Sequence, residues 1–218
     1  MKGLLVTLEG QDGSGKSTLM KLVAEKLKRE GFPTITIDEF SKNVVGLFLR
    51  DALEKNKFLR LNPSGPSALT ETSYILADLH SQDESEIRPA IGAGAVVIKE
   101  RHIDSVLACQ IPKIVDDYPQ VDLEKLFMWL SAAVSMILSP DVTFFLDVRE
   151  EEMVKRIRGR GESVSETDMA IFRRRQTIYD RLGLENCARW YRLQNNGTPG
   201  EAVCAMVACI SEKIRNQV

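Results

Sequence analysis

Neither sign of charge dominates this chain. Its 29 lysines and arginines against 31 aspartates and glutamates leave a formal net charge of −2, which excludes the broad basic field that binding a nucleic-acid polymer requires. Long hydrophobic runs are also missing. The longest apolar stretch, Leu126 to Leu138, is interrupted by Ser131 and Ser135. It falls short of the roughly 20 apolar residues that span a bilayer and reads as a buried or an interface helix, so no membrane partner is expected. Cysteine is scarce: Cys109, Cys187, Cys204 and Cys209 show no Cys-x-x-Cys spacing and no histidine at ligand spacing. That argues against a metal cluster and for free thiols in a reducing cytoplasm. His80 is lone and reads as a polar surface or cleft-rim residue. Met1-Lys2-Gly3 leads straight into an apolar run that already reads as the first strand, so no signal peptide is expected. No internal repeat, low-complexity tract or linker stands out. At 218 residues the chain can bury one substantial core, and a single domain over 1–218 is the expectation.

What is present centres on Gly10-Gln11-Asp12-Gly13-Ser14-Gly15-Lys16-Ser17-Thr18. This fits the phosphate-binding pattern of glycine, four residues, then Gly-Lys-Ser/Thr. The glycines let the backbone turn tightly and approach phosphate without a Cβ in the way. The inward N–H groups form an anion cradle, and the positive end of the following helix faces the same point. Lys16 is placed to reach the outer phosphates, and Ser17 to ligate Mg²⁺ through its hydroxyl. Context agrees with the motif. Leu4 to Leu8 is a short apolar run suited to a buried strand, and Leu19, Leu22, Val23 and Leu27 recur at helical spacing before a stop at Gly31 to Pro33.

Further along, Thr34 to Asp38 reads as a second strand ending in Asp38-Glu39-Phe40. Carboxylates there would face the ligand crevice of an open α/β sheet. A helix follows with Val45, Phe48, Leu49 and Leu53 on one face and Arg50 beside it; Asn62 to Pro66 is a loop. Ser67 to Gln82 and Glu84 to Ile91 are predicted as two helices. Ala95 to Ile98 is a third strand, followed by Lys99-Glu100-Arg101-His102-Ile103-Asp104-Ser105. An acid and an arginine together past a buried strand suit a phosphate and metal site, the acid toward Mg²⁺ and the guanidinium fork toward phosphate oxygens. Val121 to Leu138 is predicted helical, Val142 to Asp147 a strand, and Glu150 to Arg158 a helix running into Arg156-Ile157-Arg158-Gly159-Arg160-Gly161. Arginines beside glycines suggest a mobile cationic lid, around 156–168, that closes on a transferring phosphoryl group. Phe172, Gln176 and Tyr179 share a helix face; Ala188 to Leu193 is a last strand and Ala202 to Ile214 a closing helix. Strands alternating with helices predict an α/β three-layer fold, a parallel sheet of about five strands with helices on both faces.

Taken together these segments resemble the thymidylate kinase family over nearly the whole chain. Glu9 to Thr18 matches the family's Glu-Gly-x-Asp-Gly-Ser-Gly-Lys-Ser-Thr. Pro89-Ala90-Ile91, Gly94, Val97-Ile98, Glu100-Arg101-His102, Asp104-Ser105 and Ala108-Cys109-Gln110 follow the family's next block, and Pro140-Asp141 with Leu146-Asp147-Val148 the one after. The resemblance implies a P-loop kinase fold and ATP-dependent, Mg²⁺-assisted phosphorylation of a nucleoside monophosphate, dTMP to dTDP first among them. It implies ATP contacts from Gly10, Gly13, Ser14, Gly15, Lys16, Ser17 and Thr18, and metal contacts from Ser17 and Glu100. It also implies acceptor contacts from Asp12, Glu39, Arg50, Leu79, Arg101, Ser105 and Gln110, with Lys16, Arg101, Arg156 and Arg160 supplying charge to the transfer. Pairing as a homodimer is implied too, with Phe127 to Leu130 as a candidate interface or core segment.

Departures from the family keep two further readings open. Phe40-Ser41-Lys42-Asn43 replaces Pro-Gly-Gly-Thr, Leu79 stands where the family has a base-facing arginine, and Cys109 replaces a tyrosine. A carboxylate such as Glu39 at the end of the second strand also resembles the base that deoxynucleoside kinases use on a 5′-hydroxyl. A non-catalytic ATP-binding protein is the remaining alternative.

Overall fold

The computed structural model describes residues 3–62 and 64–216. Met1, Lys2 and Pro63, on which parts of the leader and loop readings fall, lie outside the described residues. Strand β1 (Leu4–Glu9) leads through the glycine loop into α1 (Lys16–Arg29), then β2 (Thr34–Ile37) and α2 (Val44–Lys55). Helix α3 (Ala68–Gln82) continues through a π-turn at Asp83–Ile87 into α4 (Arg88–Gly92). Then come β3 (Val96–Glu100), α5 (Ile103–Asp117), α6 (Leu123–Val134), β4 (Val142–Asp147), α7 (Glu150–Gly159), α8 (Glu166–Glu185), β5 (Trp190–Gln194) and α9 (Pro199–Arg215).

Among the described residues the strands form one five-stranded sheet in the order β2-β3-β1-β4-β5, and every neighbouring pair is parallel. Parallel strands need crossover helices, which cover both faces, so the central strands are apolar at nearly every position rather than at alternate ones. In β1 all six residues are buried. Leu4, Val6 and Leu8 join Val96, Ile98, Val142, Phe144 and Leu146 against α1 and α9. On the other face Phe145 packs with residues of α5, α6 and α8, and Leu5, Ile37 and Val97 pack against Ile87. The result is the expected three-layer α/β architecture.

Several boundaries differ from the expectation for identifiable reasons. Sequence reading left 103–117 without a helix, yet α5 is central to one core layer, with Val106, Leu107, Ala108, Ile111 and Ile114 buried. Its interior Pro112 hides it, because proline there removes a backbone hydrogen bond. The predicted break after Gln82 is absent: Asp83 is buried, its carboxylate takes Arg88 Nε at 2.8 Å and Leu138 N at 3.3 Å, and the chain coils on through the π-turn. The helix predicted over Val121–Leu138 stops at Val134.

The strand register places the site. Leu8 pairs with Glu100, and Glu9 pairs with Phe145. The carboxyl ends of β1, β3 and β4 therefore open at one edge, where the order reverses about β1 and where open α/β sheets bind ligands.

Candidate active site

The glycine loop leaves β1 in a conformation only glycine tolerates well. Gly10 and Gly15 have φ of +138° and +95°. A Cβ on Gly15 would lie 2.7 Å from Asn195 Nδ2, and one on Gly10 2.8 Å from the Leu146 carbonyl. The loop is braced from behind: Asn195 Nδ2 donates to the Ser14 carbonyl at 2.8 Å, and Arg156 Nη2 donates to the Asn195 carbonyl at 2.8 Å. Lys16, first residue of α1, bends back so that Nζ donates to the carbonyls of Gln11 (2.9 Å) and Gly10 (3.3 Å). Burial lowers its pKa. A cavity of about 400 Å³ lies over the loop and the start of α1, lined by Lys16, Ser17, Thr18, Glu100, Arg101, Arg156 and Arg160 among others.

Arg101 follows β3 directly and carries a left-handed backbone, φ +54°, strained for a residue with a side chain. Its N–H donates to the Leu8 carbonyl at 3.0 Å, tying the turn to β1. Its guanidinium reaches Asp12 (Nη2–Oδ1 2.5 Å), Glu39 (Nε–Oε2 3.5 Å), Ser105 (3.3 Å) and Tyr179 (3.4 Å). Desolvation would raise the Asp12 carboxyl, but Arg101, Lys16 and Arg175 hold it well below the usual carboxylate range. At Glu39 desolvation prevails and, with Asp12 and Glu100 nearby, raises the pKa against the pull of Arg101. A second cavity of about 260 Å³ adjoins the first, with Phe40, Phe58, Cys109, Gln110, Phe172 and Arg175 in its walls. A narrow extension of about 50 Å³ is lined by Phe40, Ile75, Leu79, Ser105, Val106 and Gln110 among others.

Most of the residues singled out in the sequence thus converge. Gly13, Gly15, Lys16, Ser17, Thr18, Glu100 and Arg156 meet at the loop cavity, and Leu79, Ser105 and Gln110 meet beyond it. Asp12, Glu39, Arg101 and Arg160 line both main cavities. Arg50 Nη2 donates to the Phe40 carbonyl at 3.1 Å, and Arg50 is not among the residues lining the second cavity. The arginine-rich segment is not a loop throughout. Arg156 and Arg158 lie in the last turns of α7, and Arg156 also pairs with Glu152 at 2.9 Å. Arg160 follows the helix and pairs with Glu162 at 3.2 Å.

Three buried charges at or beside the site were missed. Glu9 accepts from the His102 N–H at 2.8 Å, from Ser105 Oγ and from Tyr179 OH at 3.3 Å; burial, with Asp104 nearby, pushes its carboxyl up to about 7. Lys99 is fully buried within β3, its Nζ donating to the carbonyls of Asp38 (2.9 Å) and Glu39 (3.2 Å), and burial brings its pKa down to about 8. Arg175 lies on α8 one turn from Phe172 and in the same inward row as Tyr179, and 5% of it is exposed. For Arg175 the available signal was its helical spacing from Phe172 and Tyr179; Glu9 and Lys99 lie just past the predicted strands, Leu4 to Leu8 and Ala95 to Ile98, and carried none. His102 is likewise buried; Nε2 meets the Leu138 carbonyl at 2.9 Å, and burial lowers its pKa to about 3, so it is neutral and Nε2 carries the proton.

For a divalent cation, Ser17 and Glu100 line one wall of the loop cavity. No cluster of three histidine, cysteine or carboxylate side chains suited to a metal occurs among the described residues. A cation here would take its other ligands from phosphate oxygens and water, which is the usual habit of Mg²⁺, and the cradle that Gly10 and Gly15 keep open fits phosphates. The arrangement can therefore hold a polyphosphate at the helix N-terminus, with a second, arginine-lined pocket opening beside it.

Comparison with known proteins agrees with this geometry. The sequence model of the family described as Thymidylate kinase matches residues 8–202. A thymidylate kinase of an Exiguobacterium strain is 32% identical over 162 residues, covering 74% of this chain and 71% of that protein. A probable thymidylate kinase of Pyrococcus abyssi is 31% identical over 195 residues, covering 89% of each. Among solved structures, a thymidylate kinase from Ehrlichia chaffeensis superposes with a TM-score of 0.69 at 22% identity, over 97% of this chain and 99% of that one. The fold is shared with that structure, the sequence with the family along most of its length: the chain belongs to the thymidylate kinase family, a family of kinases.

Proposed function

We propose that the protein transfers the γ-phosphoryl group of ATP to the 5′-phosphate of a nucleoside monophosphate, with dTMP the acceptor and dTDP the product. One observation carries this reading. The phosphate-loop cavity and the arginine-lined pocket share Asp12, Glu39, Arg101 and Arg160 as a common wall, so two anions bound in them would face each other across it. The names of the relatives supply the choice of dTMP.

The acceptor oxygen is already anionic, so the transfer needs positioning and charge stabilisation more than a strong base. The loop N–H groups of Gly13 to Lys16 and the α1 N-terminus hold the β- and γ-phosphates. Lys16, freed from the loop carbonyls by the nucleotide, and Arg156 and Arg160 offset the charge that builds on the transferring group. Ser17 and Glu100 would hold Mg²⁺, whose chemistry here is to neutralise phosphate charge. Arg101 grips the acceptor phosphate, Asp12 and Glu39 fix Arg101 and meet the sugar, and Gln110 with Leu79 and Ser105 borders the base. Losing Arg160 should lower kcat by about 10³-fold, as arginines of this type do.

The whole chain is read as one kinase domain, working in the cytoplasm; the four free thiols support a reducing compartment. No described helix is long and apolar enough to cross a membrane. A homodimer is part of the proposal. Val44, Leu47 and Phe48 on α2 and Tyr74 on α3 are exposed, with Phe48 and Tyr74 rings 5.0 Å apart, and Leu69 and Trp129 line an apolar groove nearby on α3 and α6. Of the Phe127 to Leu130 segment, Phe127 and Leu130 belong to the core while Met128 and Trp129 face outward.

The raised pKa of Glu39 gives a second reading a foothold: a nucleoside kinase in which Glu39 takes a 5′-hydroxyl proton. Turnover of ATP and Mg²⁺ against a panel of nucleosides and monophosphates separates the two. The proposal expects dTMP to lead and Glu39→Gln to leave much of that activity. Turnover of nucleosides alone, abolished by Glu39→Gln, would replace it with the second reading.

A further inference from the structure

Arg175 is a buried guanidinium whose donors are not used up. Buried arginines ordinarily have their N–H groups paired, because an unmet donor away from water is costly. Here Nε has no hydrogen-bond partner, and the pair with Asp12 is loose, Nη1 to Oδ2 3.7 Å, beyond hydrogen-bond distance. The other oxygen of Asp12 is held at 2.5 Å by Arg101. The side chain is nonetheless held firmly in the wall of the acceptor pocket. Its guanidinium carbon sits 4.8 Å from the Phe58 ring centre, and that ring is packed edge-on against Phe172 at 5.5 Å. The Phe58 carbonyl takes a hydrogen bond from Lys113 at 3.1 Å. The cation is fixed without being satisfied.

We infer that Arg175 is a second guanidinium that grips the acceptor's phosphate together with Arg101, so that the pocket admits a phosphate monoester and discriminates against the parent nucleoside. The inference rests on the monophosphate reading above and adds a residue to it. Arg101 and Arg175 approach the two oxygens of one carboxylate, so their forks converge on a small volume. Two converging forks suit a tetrahedral dianion with several acceptor oxygens, whereas a single base carbonyl would satisfy one. Arg50, expected in that role, donates Nη2 to the Phe40 carbonyl and is not among the residues lining the pocket.

The test is equilibrium binding of dTMP and of thymidine, by titration calorimetry, to the wild type, Arg175→Met and Arg175→Lys, with thermal melting to confirm that each is folded. The expected result is dTMP affinity lowered about 10- to 100-fold in Arg175→Met, the scale of hydrogen bonds to a charged group. Arg175→Lys should lose less, and thymidine affinity should stay within about twofold in both. Equal losses for dTMP and thymidine, or no loss for either, would overturn the assignment. Should Arg175→Met not fold, the same comparison on Arg175→Lys decides: a loss confined to dTMP supports the role, and any other pattern refutes it. Failure of the monophosphate reading itself would look different, because it would appear in the wild-type arm as dTMP binding no tighter than thymidine.

Discussion

At the scale of single residues, the phosphate loop was legible because its chemistry is local: the turn, the lysine and the hydroxyl are neighbours in sequence. Glu9, Lys99 and Arg175 were not, because only the sheet and α8 decide that they are buried. Their burial has measurable consequences. Glu9 has a folded pKa near 7 against 4.5 for the free side chain. Between those values the folded protein holds a proton the unfolded chain has lost, so stability falls as pH rises from about 4.5 to 7, and the strain of a buried carboxylate is fully present above that range. Glu9→Gln should therefore flatten the melting temperature against pH and gain on the wild type at pH 8, by up to about 3 kcal/mol, since one pKa unit is about 1.4 kcal/mol. Denaturant melts of both proteins at pH 5 and pH 8 check this; parallel pH profiles would refute it. At the loop itself, Gly15→Ala sets a Cβ 2.7 Å from Asn195 Nδ2 at a φ of +95°. It should weaken ATP binding at least about 10-fold, read by nucleotide titration, because the cradle must open to accommodate it.

At the scale of elements, strands and most helices followed from periodicity, and the failures have structural causes. Helix α5 carries Pro112 in its interior and an apolar surface too broad to show a clean stripe. It is kept helical by what it packs against, and one contact ties it to the second pocket. Lys113 on α5 pairs with Glu71 on α3, both buried, and also donates to the carbonyls of Phe58 (3.1 Å) and Leu59 (3.0 Å). Phe58 and Leu59 both have left-handed backbones, φ 62° and 57°, and both line the second, arginine-lined pocket. Sequence could not reveal this, since the partners lie 42 or more positions from Lys113 in the chain, as 113 and 71 show. Breaking the pair leaves an uncompensated buried charge, so Lys113→Met or Glu71→Gln alone should cost about 3–5 kcal/mol in denaturant unfolding, and the double variant less than the sum. Additive losses would show that the two charges act independently.

At the scale of the whole molecule, the layer order was legible from the alternation of strands and helices, while the order β2-β3-β1-β4-β5 and the register that brings Glu100 beside Leu8 were not. What lies outside the fold of one chain is least legible, and the proposed dimer belongs there. The exposed apolar row on α2, Val44, Leu47 and Phe48, continues onto Tyr74 of α3. A stable dimer buries about 800 Å² on each partner, and a charge placed in its apolar centre is poorly tolerated. Leu47→Glu with Phe48→Glu should therefore convert a dimeric protein into a monomer, measured as a halved mass in light scattering; a monomeric wild type would end the proposal. The two helices tie this surface to the site, because Leu53 of α2 and Ile75 of α3 also wall the arginine-lined pocket proposed for the acceptor, whereas the phosphate-loop cavity is built on α1 and α7. If dimerisation braces that wall, the monomeric variant should show a KM for dTMP raised about 10-fold, equivalent to about 1.4 kcal/mol. Its KM for ATP should be nearly unchanged, because the surface that was lost supports only one of the two cavities.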